Sequence, residues 1–485
     1  MKKRYTRPGI YIQELSPQPR SVAQVETAIP AFIGYTEKSI RQGNPVLNTP
    51  TRINSFLEFE QIFGEAFPSK FEIVPALLSD PFPFQLNNQP KSLSFLPNQQ
   101  GYLYYSVKAF FENGGGTCYV VSVGNYAGVP SLIIEKSAIL IGITALGNDN
   151  ESSILAIPDA VLLGGEAFEV YQQMLAHCAT QRNRFSILDI PAGYQGLNTG
   201  NNCVSEFRNG IGNQHLALGA AYYPWLYSTV ASNPSLEILD HFELLDLQQI
   251  LPEPHAQTFL NSSPTPSGSY LHQGLIGFSP TYRALMDGIQ NKLGLLPPSG
   301  FMAGIYARTD RERGVWKAPA NVSINSVYKS AVSISDTEQE ALNIANSGKS
   351  INAIREFSGK GILVWGARTL AGNDNEWRYV PVRRTTIMIE QSLQKGLQFA
   401  VFEPNSNITW AKVKGSCSNF LTSIWRSGGL AGAKPEEAFF VKVGLGETMT
   451  SQDILDNNLI VEIGMALIRP AEFIILRIKL KTASS

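Results

Sequence analysis

The chain has 485 residues, 44% of them hydrophobic, with 39 basic and 40 acidic residues for a net charge of −1. That length holds roughly two to four domains and an ordinary buried core. The charge balance excludes a surface given over wholly to nucleic acid or anionic membrane. It also leaves little self-repulsion, which suits a subunit packed beside copies of itself.

The four cysteines (Cys118, Cys178, Cys203, Cys417) lie far apart. They offer no zinc spacing and no CxxC pair, and are expected to be reduced and mostly buried. The basic N-terminus, MKKRYTRPGIYIQEL, lacks an apolar signal core. No apolar run approaches the ~20 residues of a membrane span. Synthesis in the cytoplasm without signal-peptide export is the expectation.

Residues 8–15, PGIYIQEL, read as a short strand with Ile10 and Ile12 on one face and Tyr11 and Gln13 on the other. Pro17 and Pro19 deny it a neighbouring hairpin partner. It pairs either within its own domain or with another chain. Residues 22–36 read as a buried strand. Asn54 or Ser55 is placed to cap a short helix with Phe56, Phe59, Ile62 and Phe63 on one face, closed by Gly64. Residues 65–100, rich in proline, asparagine and serine, read as a long surface excursion.

GYLYYSVKAFF, residues 101–111, predicts an amphipathic helix, stopped by Gly114 to Gly116 before the strand CYVVSV. The order helix, loop, strand argues against a phosphate loop, which runs strand, loop, helix. Residues 125–165 suggest short strands and turns. From Glu166 helix and strand alternate, which predicts an α/β layer. Asp189 closes the strand RFSILDIP, where α/β enzymes place chemistry. The favoured reading is a turn-forming aspartate before Pro191.

Residues 252–274 read as exposed loop and 279–296 as a helix. The stretch 300–321, GFMAGIYARTDRERGVWKAPAN, is the densest in the chain. Arg308, Asp310, Arg311, Glu312 and Arg313 stand between an apolar run and a tight Gly–Trp–Pro sequence. At first sight they are acids and bases in a loop. A structural junction is favoured, with the five charges satisfying one another in a partly buried network. An arginine-rich anion site is the alternative, opposed by the adjacent acids.

A polar helix follows at about 335–345, then the buried strand GILVWG. ARTLAGNDNEWRYVPVRR predicts a hairpin ending in the strand WRYVPV. Residues 384–402 form a helix. Asn407 is expected to cap another, which carries Trp410, Val413, Phe420, Leu421, Ile424 and Trp425. Further strands close the chain, the last alternating Ile474, Leu476, Ile478 and Leu480 against Phe473, Ile475, Arg477 and Lys479.

Chemistry-bearing motifs are sparse. The five histidines form no HExxH or i, i+4 pair. The GKS at 348–350 lacks the first glycine of a Walker motif, since position 343 is Asn343. No GxSxG elbow is present. No catalytic, cofactor-binding or metal-ligating residue is assigned.

Several long blocks resemble contractile phage tail sheath proteins. They are PGIYIQEL, FFENGGGTCYVV, AAYYPWLY, GIYARTDRERGVWKAPAN, GILVWGARTLAGNDNEWRYVPVRR, TSIWRSGGLAGAKPEEAFFV and IGMALIRPAEFIILRI, in the family's order. The resemblance implies a mixed α/β and α+β, multi-domain tail-sheath fold with extended terminal strand arms. Residues 1–20 become an N-terminal linking arm and 21–125 the N-terminal part of the core. Residues 126–345 become a central α/β domain with outer insertions, 346–470 a C-terminal, tube-facing domain, and 471–485 a second arm. Stacked six-fold rings around an inner tube are implied, with contraction driving the tube through an envelope, and no cofactor.

The implied partners are further copies of the chain, the inner tube protein, baseplate and terminal cap proteins, and sheath paralogues where a particle has them. Neither nucleic acid nor membrane insertion is among them. The arms are carried by Gly9, Ile10, Tyr11, Ile12 and Glu14 and by Phe473, Ile474, Ile475, Leu476 and Ile478. Lys412, Lys414 and Arg426 are the expected tube-facing cations. The alternatives are an α/β enzyme using Asp189 or the Arg308–Arg313 cluster, and a particle-surface adhesin.

Overall fold

The computed structural model describes residues 22–77, 80–86, 88–197, 202–232, 241–242, 245–263 and 265–472. Both expected terminal strands, at 8–15 and from Phe473 onward, lie outside these residues. Two compact units divide the described chain. One comprises residues 26–388 with 469–472, the other residues 22–25 with 389–468.

The larger unit is built on one nine-stranded sheet. Its strands are β1 (Pro30–Thr36), β2 (Thr51–Ile53), β3 (Cys118–Asn125), β4 (Ile154–Ala156), β5 (Phe185–Asp189), β6 (Gly219–Tyr223), β7 (Val322–Ser323), β8 (Asn352–Phe357) and β9 (Gly361–Trp365). Their order across the sheet is β7-β9-β8-β6-β5-β4-β1-β3-β2. The run β8-β6-β5-β4-β1-β3 is parallel throughout, and antiparallel strands finish both sides. A parallel sheet must be covered on both faces, and alternation along its strands does this. Phe32, Ile154, Ala156, Ile187, Ala220 and Tyr222 join one core. Ala31, Ile33, Leu155, Leu188, Ala221 and Tyr223 join the other. A single sheet thus takes strands from either side of residues 125 and 345.

Two helices cross on the first face, α1 (Leu103–Glu112) and α2 (Ser299–Arg313). Gly300 and Gly304, one turn apart, make their close approach possible. A Cβ on Gly300 would lie 2.4 Å from the Ser106 carbonyl oxygen, and one on Gly304 2.5 Å from that of Phe110. Helix α2 forms where the sequence suggested a structural junction without naming its secondary structure. Ser299 to Ala307 is buried all round, so its sequence has no apolar stripe to betray the helical period.

Three expectations are corrected. Residues 65–100 contain a three-stranded sheet, Phe71–Pro75, Phe84–Leu86 and Gln89–Phe95. Its hairpin closes at the pair Leu86↔Gln89 through Asn88, whose φ of 60° suits asparagine in a tight turn. Residues 252–274 hold the helices Pro254–Leu260 and, running on to 278, Gly268–Phe278. Proline in a first turn starts a helix, though it reads as loop. A third core joins these pieces through Phe71, Leu93, Leu260, Leu275, Tyr282 and Ile289. The hairpin strand WRYVPV is instead the start of α3 (Val380–Gly396), and only an isolated bridge, Arg368↔Tyr379, remains of the pairing. Pro381 suits a helix's first turn and donates nothing to a ladder.

Other local signals held. Ser55 Oγ accepts from Glu58 N at 3.1 Å and caps helix Phe56–Phe63, with Gly64 at φ 85° ending it. All four cysteines are buried, free thiols. In the smaller unit α4 (Asn407–Arg426) buries Val413, Cys417, Phe420, Leu421 and Ile424. The antiparallel pair Phe439–Lys442 and Glu462–Met465 accompanies it. The N-cap is Ser406 in extended conformation, one residue before the expected Asn407, and its side chain makes no capping bond.

Candidate functional site

The Arg308–Arg313 cluster sits on the last turn of α2, and its partners come from elsewhere. Among the described residues none of the five pairs with another of the five. Asp310 takes Arg384 of α3 in a two-pronged bond, Nη1 to Oδ1 at 3.0 Å and Nη2 to Oδ2 at 2.6 Å. Thr27 completes it: its hydroxyl donates to Asp310 Oδ2 at 2.6 Å, and its carbonyl accepts from Arg384 Nη2 at 2.8 Å. The side chains of Arg384 and Asp310 are only 3% and 6% exposed. The guanidinium lies 4.5 Å from the Tyr306 ring centroid, and Tyr306 shares a 2.8 Å hydroxyl bond with Tyr222 of β6. A planar, charge-assisted fork of this kind fixes geometry as well as charge.

Two of the remaining charges secure local backbone. Arg308 donates to the Ser323 carbonyl at 2.6 Å. Arg311 donates to the Gly114 carbonyl at 2.9 Å, beyond the C-terminus of α1. A cation suits that end of a helix. Gly114 has φ 96°, and a Cβ there would meet Arg308 at 3.0 Å. Gly114 thus makes room for Arg308 and Arg311. Glu312 and Arg313 are exposed.

A second buried pair joins Arg368 and Glu472. Arg368 Nε reaches Glu472 Oε1 at 2.8 Å and Nη2 reaches Oε2 at 2.5 Å. Tyr379 Oη adds a bond to Oε2 at 3.1 Å and Asn343 Nδ2 one to Oε1 at 3.2 Å. Arg368 also donates to the carbonyls of Asn343 and Gly372. Its side chain is 4% exposed and that of Glu472 21%. Burial pushes the Glu472 carboxyl up, but the Arg368 bonds and charge, with Asn343 and Tyr379, hold it below the usual range.

Asp189 is 1% exposed and accepts from the Ser299 N–H at 2.8 Å, at the start of α2. Asp159 does the same for α1, accepting from Tyr102 and Leu103 N–H at 2.6 and 3.2 Å. Burial raises Asp189 to about 7 and Asp159 to about 6. Both cap helices, and Asp189 is no turn former. A cavity of about 1030 Å³ lies nearby in sequence, lined by Tyr102, Tyr194, Trp225 and Lys292 among others, but not by Asp189.

On α4, Lys412, Lys414 and Arg426 are all exposed. Lys414 lies 3.9 Å from Glu447, with both side chains about half exposed. Such a pair contributes little and leaves the cation available. Gly9 to Glu14 and Phe473 to Ile478 lie outside the described residues. Thr27, Arg368, Arg384 and Glu472 escaped sequence reasoning. Their partners stand 74 to 357 residues away, and no local pattern encodes such a pairing.

The chain matches two family models, the phage tail sheath protein central domain over residues 255–370 and the phage tail sheath C-terminal domain over 372–481. The tail sheath protein of Vibrio phage KVP40 is 24% identical over 180 residues, 36% of this chain and 25% of that relative. The match thus spans a quarter of the relative's length. Among solved structures, the PVC sheath complex of an extracellular contractile injection system in the contracted state is 28% identical. It is aligned over 98% of both chains with a TM-score of 0.61. The six-fold symmetrised baseplate of the anti-feeding prophage (AFP) gives 29% identity over 99% of this chain and 100% of its own, also at 0.61.

Proposed function

The chain belongs to the phage tail sheath family, and from that premise we propose that it is a structural subunit of a contractile sheath. The subunits polymerise as stacked six-fold rings around an inner tube, and contraction drives the tube through a target envelope. Alignment along 98% of a contracted-state sheath chain carries the reading. The six-fold symmetrised AFP baseplate supports the ring symmetry and a baseplate partner. The energy resides in the extended assembly, so no turnover is involved. Assembly takes place in the bacterial cytoplasm.

In this reading residues 1–20 and 471–485 are linking arms, adding strands to neighbouring copies. Head-to-tail linkage of this kind generates rings or helices. The C-terminal portion faces the tube, with Lys412, Lys414 and Arg426 toward an acidic tube surface. The enzyme reading is weaker: Asp189 is buried at the start of α2, and Arg308, Asp310 and Arg311 bond to protein partners.

Negative-stain microscopy of the chain co-expressed with a tube protein and baseplate tests the proposal. Striated tubes are expected, and loss of them on deleting residues 1–20. Uniform small particles in the presence of all components would overturn it. Neutralising Lys412, Lys414 and Arg426 together is expected to release sheath from tube while the subunit keeps its melting temperature.

A further inference from the structure

Of the two buried ion pairs, the one between Arg368 and Glu472 holds the second residue of the proposed C-terminal arm, 471–485. Glu472 accepts hydrogen bonds from Arg368, Tyr379 and Asn343. Neither pair is what stability alone would select. Burying two charges costs about as much as their attraction returns, and apolar replacements of similar volume are often as stable. What a forked guanidinium supplies is direction, because both oxygens must lie in its plane.

We infer that Arg368 is a positioning residue that fixes Glu472, and with it the starting point of the C-terminal arm. The inference rests on the proposed role of residues 471–485 as an arm between subunits. An arm that adds a strand to a neighbour must arrive in one register. A take-off point fixed in space limits the registers within reach. The Arg368 fork grips Glu472 within the first two residues of that arm, and Tyr379 and Asn343 add bonds to the same two oxygens.

The test is the paired replacement Arg368→Met with Glu472→Leu, which removes the fork and leaves no orphaned charge. It is compared with the wild-type chain and with a chain ending at Glu472, each co-expressed with tube and baseplate. The paired variant is expected to melt within a few degrees of wild type. Its yield of ordered sheath should fall at least tenfold, or its striations should lose regular spacing. Arg368→Lys, which keeps the charge and loses the fork, should fall between the two. Wild-type sheath from the paired variant, with none from the chain ending at Glu472, would overturn the inference and leave the arm reading intact. Normal sheath from the chain ending at Glu472 would overturn the arm reading itself. Should the paired variant fail to fold, Arg368→Lys decides: wild-type assembly by it overturns the inference.

Discussion

Asp159 and Asp189 are bound by backbone N–H groups at the starts of α1 and α2, whereas Asp310 and Glu472 each grip an arginine. The first kind is nearly sealed from solvent and pushed up toward neutrality. Glu472 is held below the usual carboxylate range despite its burial. The difference follows the task. A helix start needs only an acceptor, which a protonated carboxyl still supplies. Joining segments 74 or 104 residues apart in a fixed direction needs a charged, two-pronged bond.

Removing one arginine should break this contrast hardest. Arg384→Ala strands a carboxylate that is 6% exposed, and its expected cost is about 3–5 kcal/mol in urea unfolding. Arg368→Ala should cost less, since Glu472 reaches solvent. Asp189→Asn works the other way. Its folded-state value lies above the unfolded one, so the wild type loses stability as pH rises from about 4 to 7 and is level beyond. The amide carries no such penalty. Its advantage in unfolding free energy should grow across that window to the order of 1–3 kcal/mol at pH 8. An advantage that stays constant with pH would refute the account.

Glu472 has the opposite sign. Its contribution is present above its unfolded value and lost as pH falls through the lowered folded one. Acid unfolding below about pH 4.5 should therefore be shallower in the paired Arg368→Met, Glu472→Leu variant than in wild type. Ser55→Ala gives the smallest effect. The hydroxyl cap of helix Phe56–Phe63 does not titrate, so a loss of about 1 kcal/mol should be the same at pH 5 and pH 8.

The sheet was legible in outline because its strands and helices alternate along the chain. The cap at Ser55 was legible because capping is local. Helix α2 was not, since a segment buried on every side shows no period. The start of α3 was missed because Val380 and Pro381 follow a tyrosine that does make one bridge, to Arg368. Of the site, the charged half was visible: Asp310 stood out by crowding. Its partner Arg384 did not, and Thr27 could not, because a threonine bound through its carbonyl has no sequence signature. The family blocks were informative in a way their spacing concealed. Arg368 and Glu472 belong to two of them, as do Asp310 and Arg384.

The separation of Thr27 from Arg384, 357 residues, also sets a clock on synthesis. A ribosome adding about 5–20 residues per second takes roughly 20 to 70 s to travel between them. The sheet imposes a shorter wait of the same kind, since Tyr222 of β6 pairs only once Asn352 of β8 has emerged. For all that time Thr27 lacks both of its partners, and the anchor it forms with Asp310 and Arg384 closes only once most of the chain behind it exists.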